Sequence, residues 1–509
     1  MPPYVRTVKT SSGATAVQIV YACHRGSRQI EHIGSAHDDA ELELLKAVAR
    51  QRLAAGQGVL DLGPGFGAGG GGPLPIRSSR MGCLLDALCR AYDVLGLGAA
   101  NGGDEVFRDL VLARIIEPVS KLDSLRVLEE AGVAPASYAT LKRRLPVYAK
   151  DSWRQKISVA CAAHAGLGPA SLVLFDVSTL YFETDAGDGF REPGFSKERR
   201  LDPQITIGLL TGADGFPLMV SAFEGNKAET KTMLPVIESF MAAHGLPDVT
   251  VVADAGMVSE ANQKAIEAAG LSFILGMKIP HVPYAVAQWR REHPDEEIPD
   301  GHVFTQPWPA GPHGGRRDQV FYYQYRHDRA RRTLRGIEEQ VRKAEQAVAG
   351  KAPVKRNRFI QLAGGTHSVN RELEAKARAL AGIKGYVTNL RACPDGTPVT
   401  AEFVIGAYHQ LFQIEKSFRM AKSDLQARPI YHRARDSIEA HLTIVFAALA
   451  VSRWIEHRTG WSIRKFVKTA RRYRTVQIQA GNHILTAADP IPDDLRQALN
   501  AINDRTRAH

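Results

Sequence analysis

SLVLFDVSTLYFE, residues 171–183, is the stretch whose reading decides the fold. Its content of Val, Leu, Phe, Tyr and Thr reads as a β-strand, with Asp176 in its middle. Two more strands follow, QITIGLL (204–210) and PLMVSAFEG (217–225), separated by the turn residues Asp214 and Gly215. ETKTMLPVIESFMAAHG (229–245) reads as a helix ended by Gly245. VTVVADAGM (249–257) is a run of the kind buried on both faces of a parallel sheet, and it carries Asp254 at its end. SEANQKAIEAAG (259–270) is a helix with Ser259 as N-cap and Gly270 at its close, and SFILGMK (272–278) is a fifth strand.

The order is therefore three strands, helix, strand, helix, strand, which makes the fold class α/β with a ribonuclease H-like core. In that arrangement the first and fourth strands lie side by side and parallel. Asp176 and Asp254, 78 positions apart, would then be neighbours. A third element belongs with them. AEFVIGAYHQLFQIEKSFRMAKSDLQA, residues 401–427, reads as one amphipathic helix at about 100° per residue. Ile414, Phe418, Ala421 and Leu425 make its apolar stripe, and Tyr408, Glu415, Arg419 and Lys422 form a second stripe directly beside it. A solvated helix would place its charges opposite the core. Glu415 instead sits at the rim of the buried face.

Between these pieces, residues 280–395 interrupt the pattern with prolines, Trp289, Trp308, the strand-like QVFYYQYR, a charged helix at 328–348 and the segment IKGYVTNLR. They read as an inserted mixed, mainly β subdomain whose strands pair from either side of the charged helix. After the 401–427 helix, residues 436–457 are apolar nearly all round and read as a buried helix, with His441 a core histidine. Leu442–Val451, the longest apolar run, is too short to span a bilayer. The last segment contains IRKFVKTARRYR (463–474), basic with Phe466 and Tyr473 interleaved, a candidate for phosphate contact.

Upstream, residues 4–34 alternate as three short strands, and 38–55 read as a capped amphipathic helix. GQGVLDLGPGFGAGGGGPLP (56–75) contains a strand-then-glycine loop of the kind methyltransferases use for S-adenosylmethionine. It runs on into glycines and prolines instead of opening a helix, so it reads as a flexible linker. Residues 80–150 are mostly helical. Two short helices about Gly132–Ala136, the second ending in Lys142, Arg143 and Arg144, have the outline of a helix-turn-helix. The domains expected are a β/α region (1–56), the linker (57–79), a helical, possible DNA-binding domain (80–165), the core in two parts (166–280 and 396–460) around the insertion (281–395), and a basic tail (461–509).

Composition fits a globular protein of 509 residues with 44% hydrophobic and 23% charged residues. The net charge of +11 favours a polyanionic partner, nucleic acid first. The five cysteines, Cys23, Cys83, Cys89, Cys161 and Cys393, give neither a disulfide framework nor a zinc pair and fit a reducing cytoplasm. MPPYVRTVKT has no apolar run behind its charges, so no signal peptide is expected.

Two strand-borne aspartates and a helix-borne glutamate repel one another unless cations neutralise them. Carboxylate oxygens are the hard ligands that Mg²⁺ and Mn²⁺ prefer. Two such ions clamp the attacking and leaving oxygens of a phosphoryl displacement.

These residues carry a resemblance. The chain resembles the DDE transposases of bacterial insertion sequences, in the branch marked by a Tyr-Arg-Glu-Lys signature. Tyr408, Glu415 and Lys422 match at the signature's spacing, and Leu411 stands where Arg is expected. LFDVSTLYFE, VVADAGMVS, GFPLMVSAFEGNKAET, FRMAKSDLQARPIYH and VLARIIEPVSKLDS also resemble the family, over roughly residues 100–460. The resemblance implies that Asp176, Asp254 and Glu415 bind two Mg²⁺ or Mn²⁺ ions and are catalytic. It implies that Tyr408 and Lys422 contact DNA near the cleaved end, and Arg419, on the same stripe, joins them in place of the missing Arg. It further implies cleavage and strand transfer at terminal inverted repeats, double-stranded DNA as element ends and target, a homodimer in the DNA complex, no membrane, and a prokaryotic, nucleoid-associated location. The alternative is a catalytically silent DNA-binding protein derived from a transposase.

Overall fold

In the computed structural model, described residues run from 3 to 504, except 12, 23–27, 55–74, 169–170, 185, 195–201, 229–230, 258–259, 311–316, 354–355, 364–365, 429, 431, 433 and 481–482. The glycine-rich loop at 58–67 and the Ser259 cap lie outside them. The chain divides into two compact units, residues 1–83 with 472–491, and residues 84–471 with 492–509.

The smaller unit begins with β1 (Tyr4–Lys9), β2 (Thr15–Ala22) and β3 (Arg28–Ala36), an antiparallel sheet followed by α1 (Asp39–Ala54). Val17, Ile19 and Ala49 are buried there, with Leu42, Leu45 and Leu53 packed against them, as the alternating strands and the amphipathic helix predict. Next comes β4 (Ile76–Arg80), where the linker was expected to run to residue 79. β4 is a strand because it has a partner 400 positions away, in β15, which no local pattern announces.

The larger unit opens with helices α2 (Gly82–Val94), α3 (Leu97–Ala100), α4 (Glu105–Ile116), α5 (Asp123–Ala131), α6 (Tyr138–Tyr148) and α7 (Asp151–Ala165). Gly132, at φ +93°, ends α5 in the left-handed region that glycine tolerates, and Ser137 caps α6 by accepting from the Thr140 N–H. The two short helices expected about Gly132–Ala136 are α5 and α6. α5 packs on α4, and the main packing partner of α6 lies far downstream in α15 (Arg435–Thr459). Arg144 is half-buried and paired with Asp104.

β5 (Leu172–Tyr181), β6 (Gln204–Gly212), β7 (Pro217–Glu224), α8 (Met233–His244), β8 (Thr250–Ala253), α9 (Glu260–Ala268) and β9 (Ser272–Met277) follow in the expected order. α10 (Tyr284–Glu292), β10 (Val303–Trp308), β11 (Gln319–Tyr325), α11 (His327–Val348), β12 (Ile360–Ala363), β13 (Thr366–Val369), α12 (Arg371–Ala379) and β14 (Ile383–Thr388) come from the interrupting segment. The strands either side of α11 do pair, β11 with β14. They do not make a separate sheet: the eight strands run β10-β11-β14-β9-β8-β5-β6-β7. β5, β8 and β9 are mutually parallel, and the remaining pairings are antiparallel. Every residue of β6 and β8 is buried, as strands inside a sheet covered on both faces must be.

The stretch 401–427 forms α13 (Ala401–His409), α14 (Leu411–Arg419) and a π turn (Met420–Asp424), not one helix. At Gln410 the chain tightens, with the Gln413 N–H donating to the Gln410 carbonyl. At the other end the Leu425 N–H reaches back to the Met420 carbonyl, the five-residue step of a π turn. α15 is long and apolar enough to cross a membrane by length and composition, but 94% of its apolar window is buried inside the protein. It packs on α4, α6 and β7, and burial of Phe446 alone contributes about 1.5–3 kcal/mol. α16 (Ile463–Ala470) buries Phe466 and turns Arg464, Lys465 and Lys468 outward. The chain closes with β15 (Thr475–Ala480), β16 (His483–Ala488) and α17 (Asp493–Asn503), β15 pairing with both β4 and β16 in the smaller unit.

Candidate active site

The parallel pair β5 and β8 sets the site. Leu174 is in register with Val252, and Asp176 and Asp254 each follow two residues further on, one within β5 and the other just past β8. Asp254 comes just past the end of β8 and is exposed, while Asp176 is half-buried within β5. The C-terminal ends of parallel strands are where open α/β sheets present functional groups.

α14 packs on β5 and β6 and carries Glu415, exposed, towards the same edge. α13 packs on β8, β9 and β14. From it Tyr408 reaches the site: its ring is 4% exposed and its hydroxyl donates to Asp254 Oδ1. The ring fits because β9 has Gly276 beneath it, where a Cβ would lie 2.7 Å from the Tyr408 ring and hydroxyl. Burial, and then the bond to Asp254, raise the phenol's pKa above its ordinary value of 10.0, so Tyr408 stays a donor. Tyr408 is thus hydrogen-bonded to Asp254 in this structure.

β14 adds two residues that the sequence reading passed over. Lys384 Nζ sits 4.2 Å from the centre of the Tyr408 ring, and the Tyr386 ring meets that ring edge-on at 5.0 Å. Burial lowers the Lys384 pKa, and the charges of Asp254 and Glu415 pull it back up. One lysine therefore feels both carboxylates. The only local signal was Lys and Tyr at alternate positions of IKGYVT, on one face of a strand. It becomes informative once β14 is known to lie beside β9.

Lys422, in the π turn, donates to Ser178 Oγ, two residues beyond Asp176 on the same face of β5. Arg419 is exposed near the end of α14. Leu411, at the signature's Arg position, is buried on α14. Of the expected stripe, then, Glu415 and Arg419 face solvent while Tyr408 and Lys422 turn inward.

Carboxylate oxygens, here on β5, at the end of β8 and on α14, are the donor type that a hard divalent cation takes. Among the described residues, no three His, Cys, Asp or Glu side chains stand close enough to hold one ion. Asp254 and Glu415 both act on Lys384, and Asp176 lies on the strand beside β8. His441 is a core residue, as expected, but only half satisfied: Nε2 donates to the Ala427 carbonyl at 3.2 Å, and Nδ1 has no partner among the described residues.

A family model described as "Transposase DDE domain" matches residues 168–451, more than half of the chain and all of these site residues. Comparison with curated protein sequences gives no match. Among solved structures the chain is similar to the piggyBac transposase in a cryo-EM synaptic complex with hairpin DNA. That similarity is at 11% identity and a TM-score of 0.36, over 76% of this chain and 70% of that one, and is too distant to support an argument.

Proposed function

The chain belongs to the transposase DDE domain family, and from that premise we propose that it cuts and joins DNA strands at the terminal inverted repeats of a bacterial insertion sequence. The single observation that carries the reading is the register of β5 against β8, in which Leu174 lies opposite Val252, two residues before Asp176 and two before Asp254. The strand order β7-β6-β5-β8-β9 supports a ribonuclease H-like core. Tyr408, Glu415 and Lys422 at their signature spacing support the Tyr-Arg-Glu-Lys branch. The domain boundaries proposed are those read from the sequence, with the linker ending at β4, which belongs to the smaller unit, and the insertion sharing the core's sheet.

In this reading Asp176, Asp254 and Glu415 hold two Mg²⁺ or Mn²⁺ ions, which would supply Lewis-acid activation of the attacking and leaving oxygens. Tyr408 fixes the rotamer of Asp254 by occupying Oδ1 and leaving Oδ2 free. Lys384 offsets the repulsion between Asp254 and Glu415. Arg419 contacts a backbone phosphate of the strand being cut, and Lys422 exchanges its Ser178 partner for another. No covalent protein nucleophile is needed: water or a 3′-hydroxyl attacks the phosphorus and the 3′-oxygen departs. The DNA-bound form is a homodimer acting in the bacterial nucleoid.

Purified protein, end-containing duplex and Mg²⁺ or Mn²⁺ make the test. Asp176→Ala, Asp254→Ala and Glu415→Ala should each abolish nicking while leaving duplex binding intact. Cleavage at the parent rate by any of the three would remove that residue from the site. A second reading, DNA binding without cleavage, rests on Leu411 in the Arg position, and binding without nicking by the parent protein would favour it.

A further inference from the structure

Four basic side chains converge inside the larger unit, away from the carboxylates. They are Arg114 on α4, Lys121 just after it, His432 ahead of α15, and His441 on α15. Arg114, Lys121 and His441 are only 8%, 6% and 4% exposed, and His432 is half-buried. Lys121 Nζ lies within hydrogen-bonding reach of His432 Nε2, and the two imidazole rings are 5.7 Å apart. His441 uses Nε2 on the Ala427 carbonyl, and its Nδ1 is buried with no partner among the described residues. Arg114 has no hydrogen-bond or ion-pair partner among the described residues.

No carboxylate among the described residues acts on any of the four; the charges they feel are one another's. Burial first, then neighbouring cations, pushes Lys121 down to about 7, His432 down to about 4 and His441 well below the imidazole range. Elsewhere in this unit a buried arginine has its acid. Arg154 is paired with Glu439 at 2.5 Å, and Arg453 with Glu456 at 3.5 Å. A buried cation without a counter-charge is costly, so the missing acid needs a physical reason.

We propose that Arg114, Lys121, His432 and His441 form a binding site for a phosphate oxyanion. A guanidinium and an ammonium supply charged donors to its oxygens. The bound charge draws protons onto Lys121 and onto His441 Nδ1, giving that atom the partner it lacks. Free inorganic phosphate and a backbone phosphodiester of DNA present the same oxygens. The inference goes beyond the proposed strand cleavage, shares no residue with the carboxylate site, and is tested without any cutting.

The experiment melts the full-length protein in sodium phosphate and in sodium chloride at equal ionic strength. Phosphate should raise Tm saturably where chloride does not, and Lys121→Met and Arg114→Gln should lose that rise. If the source is DNA, Lys121→Met instead makes the slope of log Kobs against log salt about one unit shallower on a duplex oligonucleotide. Should the variants fail to fold, calorimetry of phosphate into the parent protein, in two buffers of different ionisation enthalpy, should show saturable binding with proton uptake. Equal melting in both salts, no saturable heat and an unchanged DNA slope would overturn the site.

Discussion

Tyr408→Phe tests the positioning of Asp254 with little other change. The phenylalanine ring keeps the edge-on contact with Tyr386 at 5.0 Å and the approach of Lys384 at 4.2 Å, and only the hydroxyl goes. A hydrogen bond to a buried charged group is worth about 1.5–3 kcal/mol. Asp254 is exposed, so water replaces the lost donor and the expected stability change is at most about 1 kcal/mol. Catalysis should suffer more. Groups that orient a metal-binding carboxylate typically contribute about 10–100-fold to metal affinity or rate. The assay is nicking of end-containing duplex as a function of Mg²⁺ concentration, alongside a thermal melt. The expected result is a near-parental melt, with cleavage down by about one to two orders of magnitude and a raised metal requirement. Parental cleavage with unchanged metal dependence would refute the reasoning, because Asp254 would then be positioned without Tyr408.

Gly276→Ala should reproduce that defect through packing. Its Cβ would sit 2.7 Å from the Tyr408 ring, so displacing the ring costs about 1–3 kcal/mol, read by denaturant unfolding, and nicking falls with it. Arg144→Gln should destabilise by about 1–2 kcal/mol, because it strips a partner from the buried Asp104 carboxylate and leaves it only the Tyr148 hydroxyl and the Phe107 N–H. Lys142→Gln and Arg143→Gln, both exposed, should stay within about 0.5 kcal/mol in the same unfolding assay. In phosphate-free buffer the parent should gain stability on Lys121→Met as pH rises from about 7 towards 10.5, by no more than about 1.4 kcal/mol per unit. The sign follows from the depressed pKa: within that window the unfolded chain holds more protons at Lys121 than the folded one. Paired denaturant titrations across the range read it directly.

The strands β5 to β9 and the helices between them could be read from local pattern, because alternation, apolar runs and glycine stops are properties of neighbouring residues. The aspartates and Glu415 stand on marked points of strands and on the rim of an amphipathic stripe, but local pattern does not separate them from ordinary surface carboxylates; the family resemblance across several segments does. What the tertiary structure decided were matters of distant pairing and phase. β4 is a strand because β15 lies beside it, and the strands of the interrupting segment join the central sheet because β14 pairs with β9. The break at Gln410 and the π turn at Met420–Asp424 re-phase the stripe, turning Lys422 to Ser178. Lys384 and the Arg114–Lys121–His432–His441 group are assembled from separate elements, and their character comes from burial and from which charges stand near. A sequence lists the charges; the packed fold determines the distances and the solvent exposure that set their energies.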